Sequence, residues 1–311
     1  MEQEKRIENI GGDGGQLVYA PYKKGICIKR YRGIGEKVVI PPEIDKKPVI
    51  AIERKAFLSC KTVREIVLPG TIEEIGDWAF AHAGKLRTIT IPNRALSRGK
   101  ELFLGCKRLR EIVLDGTDME KALRASQGLG RMLALAVTVL HDYFLFDPVE
   151  TGSDAWVRRW DEALMSLIGL DDLDGFEELW TCGEEDYEGK DYDIKSYPVE
   201  KRKMKLRVVY FRLLYPYKIS DAVNTVLKEY LSRHTKGTDT PEAWELITEE
   251  HCNDLEYYRV FAESGCITGD NFDGLLEDMK GCSAEIKAYL LRYKEEHFAA
   301  KDAFASFDLD W

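Results

Sequence analysis

The sequence contains no apolar run that could cross a bilayer. Its longest apolar-leaning stretch, MLALAVTVL at 132–140, falls far short of the ~20 residues that a spanning helix requires. The opening MEQEKRIENIGGDGG lacks the apolar core of a secretory signal and carries acids where a basic region belongs. Membrane insertion is therefore not expected, and the expected compartment is the cytoplasm. Cysteine is sparse and shows no pairing pattern. The seven residues (Cys27, Cys60, Cys106, Cys182, Cys252, Cys266 and Cys282) are odd in number, scattered and free of any CxxC spacing. That pattern fits free thiols in a reducing compartment rather than a disulfide framework.

Catalytic and metal signatures are equally scarce. The five histidines belong to no HExxH string, and neither a P-loop nor a GxSxG elbow occurs. GLG at 128–130 lacks the third glycine of a dinucleotide loop and follows no clear strand. Two aspartate-rich turns fail as calcium loops. Setting Gly175 of DDLDG at the turn glycine puts Leu170 and Thr181 where the terminal carboxylates belong, and the same test on GDNFDG puts Gly269 and Lys280 there. His251-Cys252, Cys266 and Cys282 offer soft ligands, but their gaps of 13 and 15 residues match no paired zinc spacing. No catalytic residue, metal or cofactor is expected, and the chain is read as a non-enzyme.

What is present points to two folded parts. A chain of 311 residues exceeds what one core usually supports, and 44% hydrophobic with 32% charged residues is the composition of a globular protein. Residues 1–115 carry 22 Lys/Arg against 15 Asp/Glu, net +7, whereas residues 116–311 carry 23 against 40, net −17. The overall acidity and the missing basic-aromatic motif argue against nucleic acid. The opposite signs make self-association through the charged halves an expectation.

The N-terminal part repeats itself with a period of 23. Val63, Leu86 and Leu109 open equivalent rows; Ile66, Ile89 and Ile112 align, as do Leu68, Ile91 and Leu114, and Phe57, Phe80 and Phe103. An earlier row, EKVVIPPEIDKKPVIAIERKAF, fits with five extra residues at its turn. Each LxxIxLP supplies alternating apolar residues that predict a short strand with one face buried. A unit this small cannot bury its own apolar face, so the rows must stack into a solenoid of parallel strands. The three phenylalanines are then an internal ladder, beside a column of small residues at Cys60, Ala83 and Cys106. In the third row Ala95 and Arg98 stand where Ile72 and Ile75 stood, which puts the back-face strand of that row at risk.

The string LPGTIEEIGDWAFAHAGKLRTI, with AFLSCKTVREIVLP before it, resembles the BspA-like type of leucine-rich repeat, and the likeness runs over roughly Leu17 to Leu114. It implies a recognition protein; well-known members are exported adhesins that touch host molecules.

From about Thr117 the apolar spacing becomes helical, as in Val157, Trp160, Ala163, Leu164, Leu167 and Ile168. Helices are expected near 118–127, 129–145, 154–168, 172–181, 199–214, 220–234, 240–249, 253–264, 269–280 and 283–297, with Thr240 and Asn253 as N-caps and Gly265 and Gly281 as stops. The segment 254–298 resembles the ankyrin-like helical tail that follows such repeats, which implies architecture only. The expected fold is α+β: a short leucine-rich repeat solenoid with a parallel sheet and an N-terminal hairpin cap over 1–116, then an all-helical domain over 117–311. The helices after Leu114 are expected to cap the open end of the solenoid.

If Ile66 and Leu68 point inward, two outward columns follow, Lys37-Glu65-Thr88-Glu111 and Val39-Val67-Thr90-Val113. Arg64, Arg87 and Arg110 share one phase beside them, joined at the turn by Lys61, Lys85, Lys107 and Arg108. Solvated strand residues would explain these columns. The other reading is a ligand-binding face made of Arg64, Glu65, Val67, Arg87, Thr88, Thr90, Arg110, Glu111 and Val113, with a protein or peptide as the ligand. The functional expectation is non-enzymatic protein or peptide binding. The alternatives are an exported adhesin-like surface protein and a hydrolase or transferase site between the two domains.

Overall fold

A computed structural model describes residues 5–10, 15–176, 195–279 and 281–305. It forms two compact units, Met1–Ala163 and Leu164–Trp311. The first holds the strands β1 (Lys5–Ile10), β2 (Gly15–Tyr22), β3 (Gly25–Arg32), β4 (Lys37–Val39), β5 (Glu43–Ile44), β6 (Lys47–Ile52), β7 (Glu65–Val67), β8 (Glu74–Ile75), β9 (Thr88–Ile91), β10 (Ser97–Arg98) and β11 (Glu111–Leu114). Helices α1 (Asp118–Ser126) and α2 (Leu129–Thr138) follow, then α3 (Asp154–Gly169), which runs across the division between the units. The change from strands to helices at 116 is thus not where the compact unit ends, because α2 packs on β11.

Strands β4, β7, β9 and β11 form a parallel sheet, and a second sheet runs in the order β1-β2-β3-β6-β8-β10 with β5 beside β6. Between the two sheets each turn carries a coil centred on a phenylalanine, Ala56-Phe57, Ala79-Phe80 and Leu102-Phe103 in turn, called the Ala-Phe coil after the first two, and row-to-row backbone hydrogen bonds join successive coils. The N–H groups of Lys55, Phe57 and Ser59 donate to the carbonyls of Asp77, Ala79 and Ala81 at 3.0, 2.7 and 2.9 Å. One row on, Trp78, Phe80 and His82 donate to Lys100, Leu102 and Leu104 at 2.9, 3.1 and 2.6 Å. Aiming every second N–H at the next row requires left-handed backbone on both sides of the phenylalanine: φ is 61° at Lys55, 56° at Ser59, 53° at Trp78, 56° at His82, 51° at Glu101 and 70° at Gly105. Most of these are not glycine, and the nearby N–H···O bonds hold them there.

The stacked coils put Phe57, Phe80 and Phe103 in one buried column with ring centroids 5.6 and 5.5 Å apart. The column extends past the repeat at both ends. Tyr31, from the β2–β3 hairpin, stacks on Phe57 at 5.6 Å, and Phe146 closes on Phe103 edge-on at 5.5 Å. The hairpin thereby caps one end, while α2 lies against β11 at the other. Gly130 permits that approach, because a Cβ there would stand 2.9 Å from Glu111 Cγ and 3.0 Å from the Ile112 carbonyl.

The third-row back strand is kept. β10 pairs in parallel with β8, Arg98 opposite Ile75, because the bonds are backbone ones: Ser97 N–H to Glu73 O at 2.9 Å and Gly99 N–H to Ile75 O at 2.7 Å. Arg98 replaces the apolar plug by lying over the Phe146 ring at 6.0 Å and pairing with Asp147 at 3.6 Å. Cys106 and Ala83 are buried, but Cys60 is only partly so.

The second unit contains α4 (Ser196–Leu214), α5 (Asp221–Arg233), α6 (Glu242–Glu250), α7 (Leu255–Glu263), α8 (Phe272–Asp278) and α9 (Ala284–Ala305). Helix α4 is its centre and packs against α5, α6 and α7. The expected 129–145 helix ends at Thr138 and is followed by a 3-10 turn at Tyr143–Leu145. Helix 172–181 falls partly, and Cys182 wholly, outside the described residues. Pro241, not Thr240, stands at the start of α6, and Asp254, not Asn253, caps α7 by accepting from the Glu256 N–H at 3.2 Å. Among the described residues no helix is long and apolar enough to cross a membrane.

Truncating the middle ring, Phe80→Ala, is expected to cost about 3–5 kcal/mol, since it opens a cavity in a site that cannot collapse. Urea unfolding followed by tryptophan fluorescence checks this, and an unchanged midpoint would contradict a structural role for the ring column.

Candidate functional site

The inter-strand pairing places the predicted outward columns side by side. Lys37, Glu65, Thr88 and Glu111 are successive partners across β4, β7, β9 and β11, as are Val39, Val67, Thr90 and Val113. The residues between them, Ile66, Ile89 and Ile112, are buried, so the columns lie on the outer face. Arg64, Arg87 and Arg110 precede the three strands, and their main chains are joined: the Arg87 N–H donates to Arg64 O, and Arg110 N–H to Arg87 O, both at 2.8 Å. All three side chains are exposed, as are those of Lys61, Lys85, Lys107 and Arg108.

Charge on this face is only partly compensated. Lys37 pairs with Glu65 at 2.7 Å and Arg64 with Glu36 at 3.0 Å. Arg87, Arg110, Lys61, Lys85, Lys107 and Arg108 form no ion pair with any described residue. The result is a ribbon of open cations beside a half-exposed β-branched stripe. Glu111 and Val113 lie at its rim, in the small recess they share with Lys121 and Arg124 of α1.

The thiols of the solenoid are poor nucleophiles. Burial pushes Cys60 up to about 11, and Cys27 and Cys106 up to about 12, so all three stay protonated near neutral pH. Among the described residues no group of three or more His, Cys, Asp or Glu could hold a metal ion.

In the second unit the titratable groups gather where α4 meets α6. Arg202 bridges Asp172, at 2.8 Å, and Glu242; Lys203 reaches Glu245 at 3.4 Å and Glu249 at 2.9 Å; Arg207 pairs with Glu250 at 2.5 Å. Buried Lys205 donates to Asp172 at 2.8 Å and to the Leu170 carbonyl at 2.6 Å. Burial alone would raise Asp172, but hydrogen bonds and charge from Lys205 and Arg202 outweigh it and hold the carboxyl below its ordinary value. His234, whose Nδ1 lies 2.7 Å from the Thr240 hydroxyl, is lowered to about 4 by burial and then by the Arg202 charge. Paired acids and bases of this kind stitch two helices together.

A sheet built of parallel rows, with an aromatic plug in each turn and one face open, is the architecture of a leucine-rich repeat. More narrowly, residues 36–122 match the family model described as "BspA type Leucine rich repeat region (6 copies)", so the N-terminal region is of that type. Among solved structures the chain is similar to a leucine-rich repeat protein of T. pallidum, with 36% identity over 32% of this chain and 46% of that one and a TM-score of 0.30. It is also similar to one from Bacteroides ovatus, with 32% identity over 32% and 28% of the two chains and a TM-score of 0.29. A leucine rich cell surface protein from Faecalibacterium prausnitzii matches at 23% identity over 32% and 30%, with a TM-score of 0.27. The chain spans less than half the length of each of these three proteins. No curated protein matches.

One feature escaped the sequence pattern. A cavity of about 390 Å³ lies where the array ends, between the third coil and the 3-10 turn, lined by Lys100, Phe103, Val137, Tyr143 and Phe144 among others. The aromatic string DYFLF at 142–146, past α1 and α2, is its sign in the sequence.

The α4–α6 contact makes acid sensitivity predictable. A histidine whose folded pKa is depressed to about 4 favours folding above the ordinary value of 6.5, and that contribution disappears as pH falls from 6.5 toward about 4. Asp172, also depressed, contributes above its unfolded value and is lost only at still lower pH. Thermal unfolding between pH 7 and 4 is expected to show falling stability, with a shallower fall for His234→Gln. Asp172→Asn is expected to cost about 3–5 kcal/mol at neutral pH, because it strands buried Lys205; equal melting of variant and parent would refute the stitch.

Proposed function

We propose that the chain is a non-enzymatic binding protein that takes an acidic protein or peptide segment on the outer face of the β4-β7-β9-β11 sheet. The observation that carries this reading is the ribbon at Arg87, Arg110, Lys61, Lys85, Lys107 and Arg108, which has no ion pair among the described residues and lies alongside the Val67-Thr90-Val113 stripe. Guanidinium groups at a fixed row spacing suit carboxylates on an extended partner, and the β-branched stripe adds apolar contact. Membership of the N-terminal region in a repeat type that generally mediates interaction or adhesion supports the same reading.

Arg64, Glu65, Val67, Arg87, Thr88, Thr90, Arg110, Glu111 and Val113 are the proposed contact residues. In affinity capture with the full chain as bait, the Arg64→Glu, Arg87→Glu, Arg110→Glu variant is expected to bind its partner about tenfold more weakly or worse, ~1.4 kcal/mol being one decade. The loss should be mimicked by raising salt, since exposed charges are screened. Retained affinity would sink the proposal. An exported adhesin-like role remains the alternative reading and would use the same face on a host protein; binding to extracellular host proteins rather than to proteins of the source cell would favour it.

Two narrower readings go with this one. The ankyrin-like reading of 254–298 rests on the packing of α7 with α9 and on the phrasing of that segment. The net +7 of residues 1–115 and net −17 of 116–311 favour self-association between chains at low ionic strength. Gel filtration at low and high salt is expected to show a later elution in high salt, and a salt-independent volume would argue against it.

A further inference from the structure

The geometry points to a second peptide site, separate from the sheet face, at the unfinished end of the Ala-Phe coil. In the first row the N–H groups of Lys55, Phe57 and Ser59 meet carbonyls of the second, and those of Trp78, Phe80 and His82 meet carbonyls of the third. The corresponding groups of the third row, the N–H of Glu101, Phe103 and Gly105, meet no acceptor among the described residues. Their backbone is nonetheless held in the same form, with φ of 51° at Glu101 and 70° at Gly105. Three parallel donors are thus set for a fourth row that the chain does not supply.

What stands in its place is incomplete. Phe146 meets Phe103 edge-on rather than stacked, and the 3-10 turn Tyr143–Leu145 leaves the cavity of about 390 Å³ between itself and the coil. Its walls include Phe103, Val137 and Phe146, and at its mouth Phe144 is 80% exposed. Lys100, also at the mouth, has no ion pair among the described residues.

The occupant that fits is a segment of a partner protein that takes the same coil form as the rows of the array. Alternate carbonyls would accept from Glu101, Phe103 and Gly105, as each coil of the array does from the one before. One aromatic side chain would enter the cavity and continue the ring column, and an acidic residue three positions before it would pair with Lys100. The chain's own second coil meets this description, because its Asp77, Ala79 and Ala81 carbonyls accept from the first row and its Phe80 stacks on Phe57.

The test therefore uses a fluorescently labelled peptide of residues 74–83, EIGDWAFAHA, with the full chain. Anisotropy is expected to rise to saturation, and amide exchange across Glu101–Gly105 to slow by about tenfold or more when the site is filled, as closed backbone hydrogen bonds require. Replacing the peptide's Phe by Ala should weaken binding about tenfold, in line with loss of a buried anchor. Lys100→Glu, a change at an exposed position, should weaken it about threefold to fivefold. The Arg64→Glu, Arg87→Glu, Arg110→Glu variant should bind this peptide as the parent does, which separates the site from the sheet face. No saturable binding, unchanged exchange at 101–105, or equal affinity for the Phe-to-Ala peptide would each overturn the proposal. So would sedimentation showing that the chain alone dimerises with 101–105 already protected, which would give the coil end to a second copy.

Discussion

The first unit depends on one interaction, the hydrogen bond from every second N–H of a coil to the carbonyl 22 residues later. A buried backbone donor must find an acceptor, and here the next row supplies it only if its own coil has the same shape. That requirement goes with paired left-handed residues on each turn. With the coils locked, the phenylalanine rings have nowhere to go but above one another, and the strands on the open side fall into register without further instruction. The outward columns at Lys37-Glu65-Thr88-Glu111 and Val39-Val67-Thr90-Val113 are therefore a by-product of backbone geometry. Only the identities of the residues in them are free to serve a ligand.

The second unit is held together on different terms. Its helix α4 is buried along much of its length and carries Arg202, Lys203, Lys205 and Arg207 into contact with acids of α6 and with Asp172. Removing such charges from water is costly and is offset only while every partner is present. Cohesion there varies with protonation state, whereas the ring column of the first unit has no titratable member apart from Tyr31.

The parts of the fold that could be read from the sequence were those written in a period. Val63, Leu86 and Leu109 fixed the rows, and through them the ring column and the orientation of Arg64, Arg87 and Arg110, because a repeat converts one correct phase into several. Single events were harder to read. Arg98 looked like a lost strand because a charged residue had replaced an isoleucine, yet strand pairing uses the main chain and the guanidinium found Phe146 and Asp147. Tyr31 and Phe146 lie outside the repeat, so no alignment of rows could assign them to its ends. The left-handed residues were hidden for another reason: at Lys55, Ser59, Trp78, His82 and Glu101 the sequence shows no glycine where that conformation would normally suggest one.

Because each coil both receives and presents the same pattern of donors and acceptors, the array has no natural length. Duplicating a block of 23 residues within it would add a rung while preserving the inward rings, the outward columns and the two end caps together, and extra residues are taken up at a turn, as in the first row, where Lys37 and Glu65 pair 28 positions apart. Growth of such a surface is therefore quantised, and its reach along a partner can change in steps of one strand spacing, about 4.8 Å, without redesign of the core.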